Sequence, residues 1–469
     1  MSRLSALDAL FLYAEDGVSH MHIGSCALFA GPAPSQRAMA AQIERKLHLV
    51  PRFRQRVQFV PGQLGHPVWV DDESFAIDRH LHRLRLPAPG DETALFGLLA
   101  RLMSDELDRD HALWQMWLVT GLASGEWALV TKAHHCMVDG VSGTDLMAAI
   151  LDTEPRPVRA APTPWTPAPP PGAVRLVVDG LRGHAGDVAS TLGTVARGLG
   201  SPRRSWAVGS GVVSGLGQFA RQLARPDRGL PVDGRLDARR RYSAARCSLA
   251  DVRTIRRAFG GSVNDVVLAV IAGAMREVMV ADGQVTPGTT VSSLVPVSIR
   301  ANGDHTSNNQ VSMMIAPLAV GIDDPVERLE VTRRTMAELK ESHEVAAATA
   351  VFRLADAVPP PLLAAAIRGT ETYMQRVSQR IVSTVTTNVA GPPVPLYALG
   401  REMREYLPFV PVGPGVRLGV AILSYNGRLA FGVTGDEGAG ARAEQLARSI
   451  DSGMAQLVGL ATTRGRSAS

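Results

Sequence analysis

His134-His135-Cys136-Met137-Val138-Asp139-Gly140 brings imidazole, thiol and carboxylate into one short stretch of the chain. The residues before it, Trp127 to Ala133, are an apolar run of strand length, so the histidines sit on a loop at a strand exit. An imidazole with an ordinary pKa of about 6.5 can take a proton at neutral pH, and two histidines in series followed by Asp-Gly at such an exit point to a general base. Two rival readings fit less well. Adjacent side chains of extended backbone diverge, so the pair is poorly placed to bind one metal ion, and no HExxH or third ligand accompanies it. Cys136 as a nucleophile would need its neighbour as base, with both side chains leaving the strand in different directions.

The elements that must position this loop fall on either side of a break. Eight prolines between Pro155 and Pro171 favour extended, polyproline-type backbone and forbid regular helix. This divides the chain into an N-terminal α/β half (1–154) carrying the histidines, a linker with amphipathic helices (155–240) and a C-terminal α/β half (241–469). Two helix starts look alike: Ser142-Gly-Thr-Asp145 and Ser262-Val-Asn-Asp265 each set a serine three residues before an acid, a near capping box ahead of an apolar run. Each half thus offers a strand-loop-helix junction to a shared cleft. Neither shows a Walker loop or a GxGxxG phosphate cradle.

In the linker region, Val174, Val178, Leu181, Ala185, Val188, Leu192, Val195 and Leu199 recur at spacings of four and three, which predicts one apolar helix stripe. Val212, Leu216, Phe219 and Leu223 form a second. Such stripes pack on the protein's own surface or lie on lipid. Gly180, Gly183, Gly186, Gly193 and Gly198 weaken the first helix intrinsically, so contacts elsewhere must stabilise it.

Composition narrows the classes of function. Of 49 basic residues only Lys46, Lys132 and Lys340 are lysines, and the formal net charge is +5. No Lys/Arg-rich run or zinc-finger spacing accompanies this bias, which speaks against nucleic acid and leaves phosphate-bearing ligands or an anionic membrane surface. Cys26, Cys136 and Cys247 are too scattered for a disulfide framework, which fits a reducing, cytoplasmic compartment. Asp8 interrupts the early apolar run, against a signal peptide, and prolines and polar groups interrupt the uncharged stretch from Ile381 to Gly400, against a spanning helix.

HHCMVDG matches the HHxxxDG motif of coenzyme A-dependent acyltransferases. More narrowly, the chain resembles the bacterial wax ester synthase/acyl-CoA:diacylglycerol acyltransferase family through LSALDALFL, PRFRQRV, LDRDHALWQMWLVTGL, SVNDVVLAV, SLVPVSIR, SNNQVSMMIAPLAV and NVAGPPVPLY, in that order. The resemblance covers the whole chain apart from the linker. One block departs: the family's Pro-Leu-Trp reads Ala112-Leu113-Trp114, losing the residue that fixes φ. The resemblance implies an α/β fold of two chloramphenicol-acetyltransferase-like domains with an active-site tunnel between them. It implies transfer of a long-chain acyl group from acyl-CoA to diacylglycerol, or to a fatty alcohol, with no cofactor. His135 would be the base and His134 structural. Asp139 would hold the loop through Arg54, and Gly140 would admit the turn into the next helix. Asn264, Ser298 and Asn388 are candidates for substrate or oxyanion contacts. Water-insoluble acceptors imply peripheral association with the inner membrane face or with lipid droplets. Same-fold alternatives are another alcohol acceptor or a carrier-protein-bound donor, and an alternative of another class is a lipid-binding protein without turnover.

Overall fold

The computed structural model describes residues 2–137, 147, 149–156, 163–199, 236–298, 311–341, 358–366, 369, 382–413 and 415–467, with the backbone alone at 191–199, 297–298, 311–313 and 467. The first part of the chain forms β1 (Ser2–Arg3), α1 (Ala6–Ala14), β2 (His22–Phe29), α2 (Gln36–Lys46), β3 (Gln55–Gln58), β4 (Val68–Asp71), β5 (Leu81–Arg85), α3 (Glu92–Ser104), β6 (Trp114–Thr120) and β7 (Trp127–His134). A long helix, α4 (Ala173–Leu199), follows the proline-rich stretch. The remainder forms β8 (Arg240–Ser248), α5 (Leu249–Phe259), α6 (Val263–Val280), β9 (Val291–Ser298), β10 (Val311–Leu318), α7 (Pro325–Glu341), β11 (Thr384–Ala390), β12 (Tyr397–Ala398), β13 (Arg401–Phe409), β14 (Leu418–Tyr425), β15 (Arg428–Asp436) and α8 (Gly440–Ser467).

Two six-stranded sheets dominate, ordered β12-β13-β2-β7-β6-β5 and β10-β9-β11-β14-β15-β8. β7 is buried along its whole length because it lies in the interior of the first sheet with both faces covered. Trp127, Leu129 and Ala133 enter one apolar cluster with Phe29 and Trp114, while Ala128 and Val130 enter another with Leu99 and Met103 of α3. Lys132 is fully buried on the α3 side. Its ammonium donates to the carbonyls of Leu102, at 2.8 Å, and Asp105, satisfying orphan acceptors at the C-terminal end of α3. In the second sheet, α6 packs on the strands with twelve of its residues buried. Its start is the capping box foreseen from Ser262 and Asp265, and α5 has a second one, Ser248 with Asp251. Ser142 to Asp145 lie outside the described residues.

The sheets do not follow a division of the sequence at residue 241. β13 crosses over and pairs antiparallel with β2, Phe409 opposite Gly24. The crossing fits only because β15 carries glycine: a Cβ at Gly432 would overlap the carbonyl oxygen of Pro408. The Arg246 guanidinium on β8 then reaches Glu405 of β13 and Glu92 of α3.

The packed face of α4 differs from the predicted stripe. Leu176 is 2% exposed against Val60, Val68 and Val70. Gly180 abuts Gly65, where a Cβ would stand 2.6 Å from the Gly180 Cα, and a Cβ at Gly183 would overlap the Arg3 guanidinium. That guanidinium pairs with Asp187 at 2.7 Å. Val174 and Leu181, on the predicted stripe, are 79% and 50% exposed. The stripe fails as a guide because the contact is backbone-close, and close approach selects glycine rather than a large apolar side chain. The second predicted stripe, Val212 to Leu223, lies outside the described residues.

Candidate active site

β7 ends against two neighbours. The His134 N–H donates to Leu113 O at 2.9 Å and the His135 N–H to Met21 O at 2.8 Å. A 3₁₀ turn over His135–Met137 then lets the Cys136 N–H donate to His134 Nδ1 at 3.2 Å. That contact makes Nδ1 an acceptor and leaves the proton of His134 on Nε2. Nε2 faces the Glu15 carboxylate, 3.4 Å from Oε2. Glu15, just past α1, also stands 3.2 Å from His22 Nε2 and 4.0 Å from His20 Nδ1, and pairs with Arg109. The two Nε2 approaches are close but poorly aligned for hydrogen bonding, so much of the attraction is electrostatic. Burial pushes the Glu15 carboxyl upward, yet His134, His22 and Arg109 outweigh it and hold the group well below the usual carboxylate range. Burial lowers His22 to about 4, so it is neutral at pH 7.

His135 has a different setting. Its half-buried ring stacks on Phe11 with centroids 3.9 Å apart and planes at 20°. Burial, then the neighbouring His134, lowers it to about 4. The ring is thus a neutral imidazole at physiological pH, fixed by a π-stack, with no carboxylate drawing it into the protein among the described residues. Phe11 in α1 and Glu15 just past its end are what separates the two histidines: one stacks on His135, the other faces His134. Cys136 is fully buried, and burial holds its thiol well above its ordinary pKa, which disfavours the thiolate a nucleophile requires.

The other predicted residues fall as follows. Asn388 Nδ2, on β11, donates to Asn264 Oδ1 in the first turn of α6 at 3.4 Å. Val389, beside Asn388, and Leu423 and Tyr425 of β14 pack on the cluster that holds Cys136 and Met137. The asparagine pair and the histidine turn therefore border one apolar cluster where the two sheets meet. Ser298 ends β9, its backbone opposite Val311. Asp139 and Gly140 lie outside the described residues. Arg54 ends a 3₁₀ turn, with its guanidinium carbon 4.5 Å from the Trp165 ring centroid, so a residue of the proline-rich stretch covers it. Ala112 in place of the family proline is buried, and its carbonyl accepts the Trp114 N–H at 2.8 Å. Among the described residues no group of three or more His, Cys, Asp or Glu side chains is arranged to hold a metal ion.

Glu15, His20, His22, Arg109 and Phe11 were not picked out by sequence reasoning. An acid and two histidines within eight residues were the available signal. What makes them a site is the register of β2 on β7, which sets His22 opposite His134.

Two sheets meeting at a histidine turn define the fold class of two-domain acyltransferases and condensation domains. In that class, the first condensation domain of the calcium-dependent antibiotic synthetase superposes with a TM-score of 0.59 at 16% identity, covering 97% of this chain and 96% of its own. The wax ester synthase/diacylglycerol acyltransferase from Marinobacter aquaeolei VT8 does so with a TM-score of 0.66 at 24% identity, covering 98% and 100%. Residues 4–267 match the wax ester synthase/diacylglycerol acyltransferase catalytic domain, and residues 307–458 match the WS/DGAT C-terminal domain. The probable diacylglycerol O-acyltransferase tgs1 of Mycobacterium tuberculosis (strain H37Rv) is 36% identical over 470 aligned positions, covering 99% of this chain and 97% of that protein. The chain belongs to the wax ester synthase/diacylglycerol acyltransferase family.

Proposed function

We propose that the protein transfers a long-chain acyl group from acyl-CoA to the free hydroxyl of diacylglycerol, with fatty alcohol as a second acceptor and no cofactor. The observation that carries the mechanism is the neutral His135 imidazole, held on Phe11 at the strand exit while its neighbour is committed to Glu15. The thioester is already activated, so the protein needs to orient the alcohol, take its proton and stabilise the oxyanion. His135 accepts the hydroxyl proton as the oxygen attacks the thioester carbonyl. The tetrahedral intermediate collapses by expelling the CoA thiolate, which leaves as the thiol after taking the proton back from the imidazolium. Asn264 and Asn388, with Ser298, supply polar contacts to substrate or oxyanion. Asp139 and Arg54 hold the loop, and Gly140 allows its turn into the following helix. Radiolabelled palmitoyl-CoA offered with diacylglycerol, monoacylglycerol, hexadecanol or water tests this directly. Triacylglycerol as the main product supports the reading, a dominant wax ester reverses the order of acceptors, and no acyl transfer to any alcohol refutes it.

The acceptor reaches the protein at a lipid surface, on the inner membrane face or a lipid droplet. Val174, Val178 and Leu181 form an exposed apolar row on α4 with Arg175 and Arg182 beside them, a composition suited to lying on anionic lipid. Replacing the three apolar residues by Gln lowers sedimentation with phosphatidylglycerol vesicles and diacylglycerol turnover together, while transfer to a short-chain soluble alcohol is retained. Unchanged vesicle binding by the well-folded variant refutes this placement.

A further inference from the structure

The turn between α5 and α6 gathers positive charge from three helices. Arg256 of α5 donates its Nε–H to Gly261 O at 2.8 Å. Arg333 of α7 comes so close to Gly260 that a Cβ there would stand 2.9 Å from a guanidinium nitrogen. Arg464 of α8 lies over Phe259, its guanidinium carbon 5.4 Å from the ring centroid. All three side chains are exposed, and among the described residues none has a carboxylate partner. Other arginines in this half do have carboxylate partners, Arg241 with Glu437, Arg276 with Asp323 and Arg442 with Asp282. The acid at this turn, Asp265, is buried and accepts from the Ser262 N–H at 2.7 Å. Gly260 and Gly261 both have positive φ, 79° and 89°, a backbone that glycine adopts freely, and the missing side chain at Gly260 leaves room for the Arg333 guanidinium beside the turn. The α6 start is already capped by Ser262, so the guanidinium groups and not the helix end make the surface anionophilic.

We propose that Arg256, Arg333 and Arg464 seat the phosphate groups of the acyl-CoA donor. This rests on the acyl-CoA reading above. Asn264 lies three residues beyond Gly261 and contacts Asn388 at the junction of the sheets, so a phosphate seat at this turn adjoins the element that carries the asparagine pair. Guanidinium groups suit this task because they present several fixed donors to phosphate oxygens and stay charged.

Palmitoyl-CoA and palmitoyl-N-acetylcysteamine share a thioester and an acyl chain and differ in the phosphates, so comparing them isolates the seat. Arg256→Gln with Arg333→Gln raises KM for palmitoyl-CoA by about 100-fold, roughly tenfold per guanidinium, with kcat and the KM for palmitoyl-N-acetylcysteamine unchanged. Binding of 3′,5′-ADP by calorimetry weakens in parallel, and Arg256→Lys with Arg333→Lys retains most of it. An unchanged KM for palmitoyl-CoA, or an equal rise for both donors, overturns the proposal. So does lost binding to phosphatidylglycerol vesicles with unchanged donor kinetics, which would make the patch a lipid-headgroup site. Arginine-dependent 3′,5′-ADP binding by a native protein that acylates no alcohol would sustain the seat and refute the functional reading. Acyl transfer from palmitoyl-CoA with 3′,5′-ADP binding indifferent to these arginines would do the reverse.

Discussion

Replacing Glu15 by Gln keeps the shape of the side chain and removes the charge that His22, His134 and Arg109 share. Two imidazole nitrogens stand 3.2 and 3.4 Å from the carboxylate, whose side chain is 9% exposed. Interactions with a buried charged group are worth about 1.5 to 3 kcal/mol when well aligned. These are less than ideally aligned, and the Arg109 side chain is 41% exposed, so solvent screening reduces its share to about 1 kcal/mol or less. The expected loss of stability is therefore about 2 to 4 kcal/mol, a fall in Tm on the order of 5 to 15 °C for a unit the size of one half. The pH dependence has a definite sign. Glu15 is depressed in the folded protein, so its contribution is present above about pH 4.5 and is lost as pH falls toward its lower folded value. The native protein should thus lose more stability than the variant on acidification below that pH. Freed from its carboxylate, His134 no longer fixes the turn, and a displacement of His135 by about 1 Å can lower kcat by about 100-fold. Thermal melts from pH 3.5 to 8, with kcat and KM for palmitoyl-CoA at pH 7.5, test both parts. A variant within 0.5 kcal/mol of native, with native kcat, would show that the carboxylate neither stabilises nor positions the pair.

His135→Ala should lower kcat by about 10²- to 10⁴-fold with acyl-CoA binding retained; the assignment fails if a folded His134→Ala is the more damaged enzyme. Because burial lowers both His22 and His135 to about 4, each adds stability that is full above about pH 6.5 and declines as pH falls to about 4. For the same reason kcat/KM should stay level from about pH 5 to 8, and an inflection near 6.5 in the rate of folded enzyme would mean that the base is not His135. Cys136→Ala should retain most activity, whereas an acyl-cysteine trapped by mass spectrometry from native protein would replace direct transfer with a covalent route. Gly432→Ala should destabilise by about 2 kcal/mol or more, since its Cβ overlaps Pro408 O where β13 crosses between the halves; a native melting profile would show that this junction yields easily.

Features whose causes lie within a few residues were legible in the chain alone. Trp127 to Ala133 formed the buried strand its composition predicts, with His134 as its last residue, and Ser262 and Asp265 formed the capping box their spacing predicts, because strand propensity and capping are local. HHCMVDG and its companion blocks identified the family. Whatever depended on which distant segments pair became visible only in the folded molecule. The register of β2 on β7 placed the Glu15 carboxylate against His134 and left His135 to Phe11, although those residues lie more than a hundred positions apart. Hydrogen bonding carried β13 into the first sheet, across a boundary that composition alone suggested. On α4 the apolar periodicity named the exposed row, and Leu176 with Gly180 and Gly183 made the contact. Periodicity reports where large apolar side chains recur, but a close backbone contact selects the residue with no side chain, and its partner becomes visible only when both surfaces are in place.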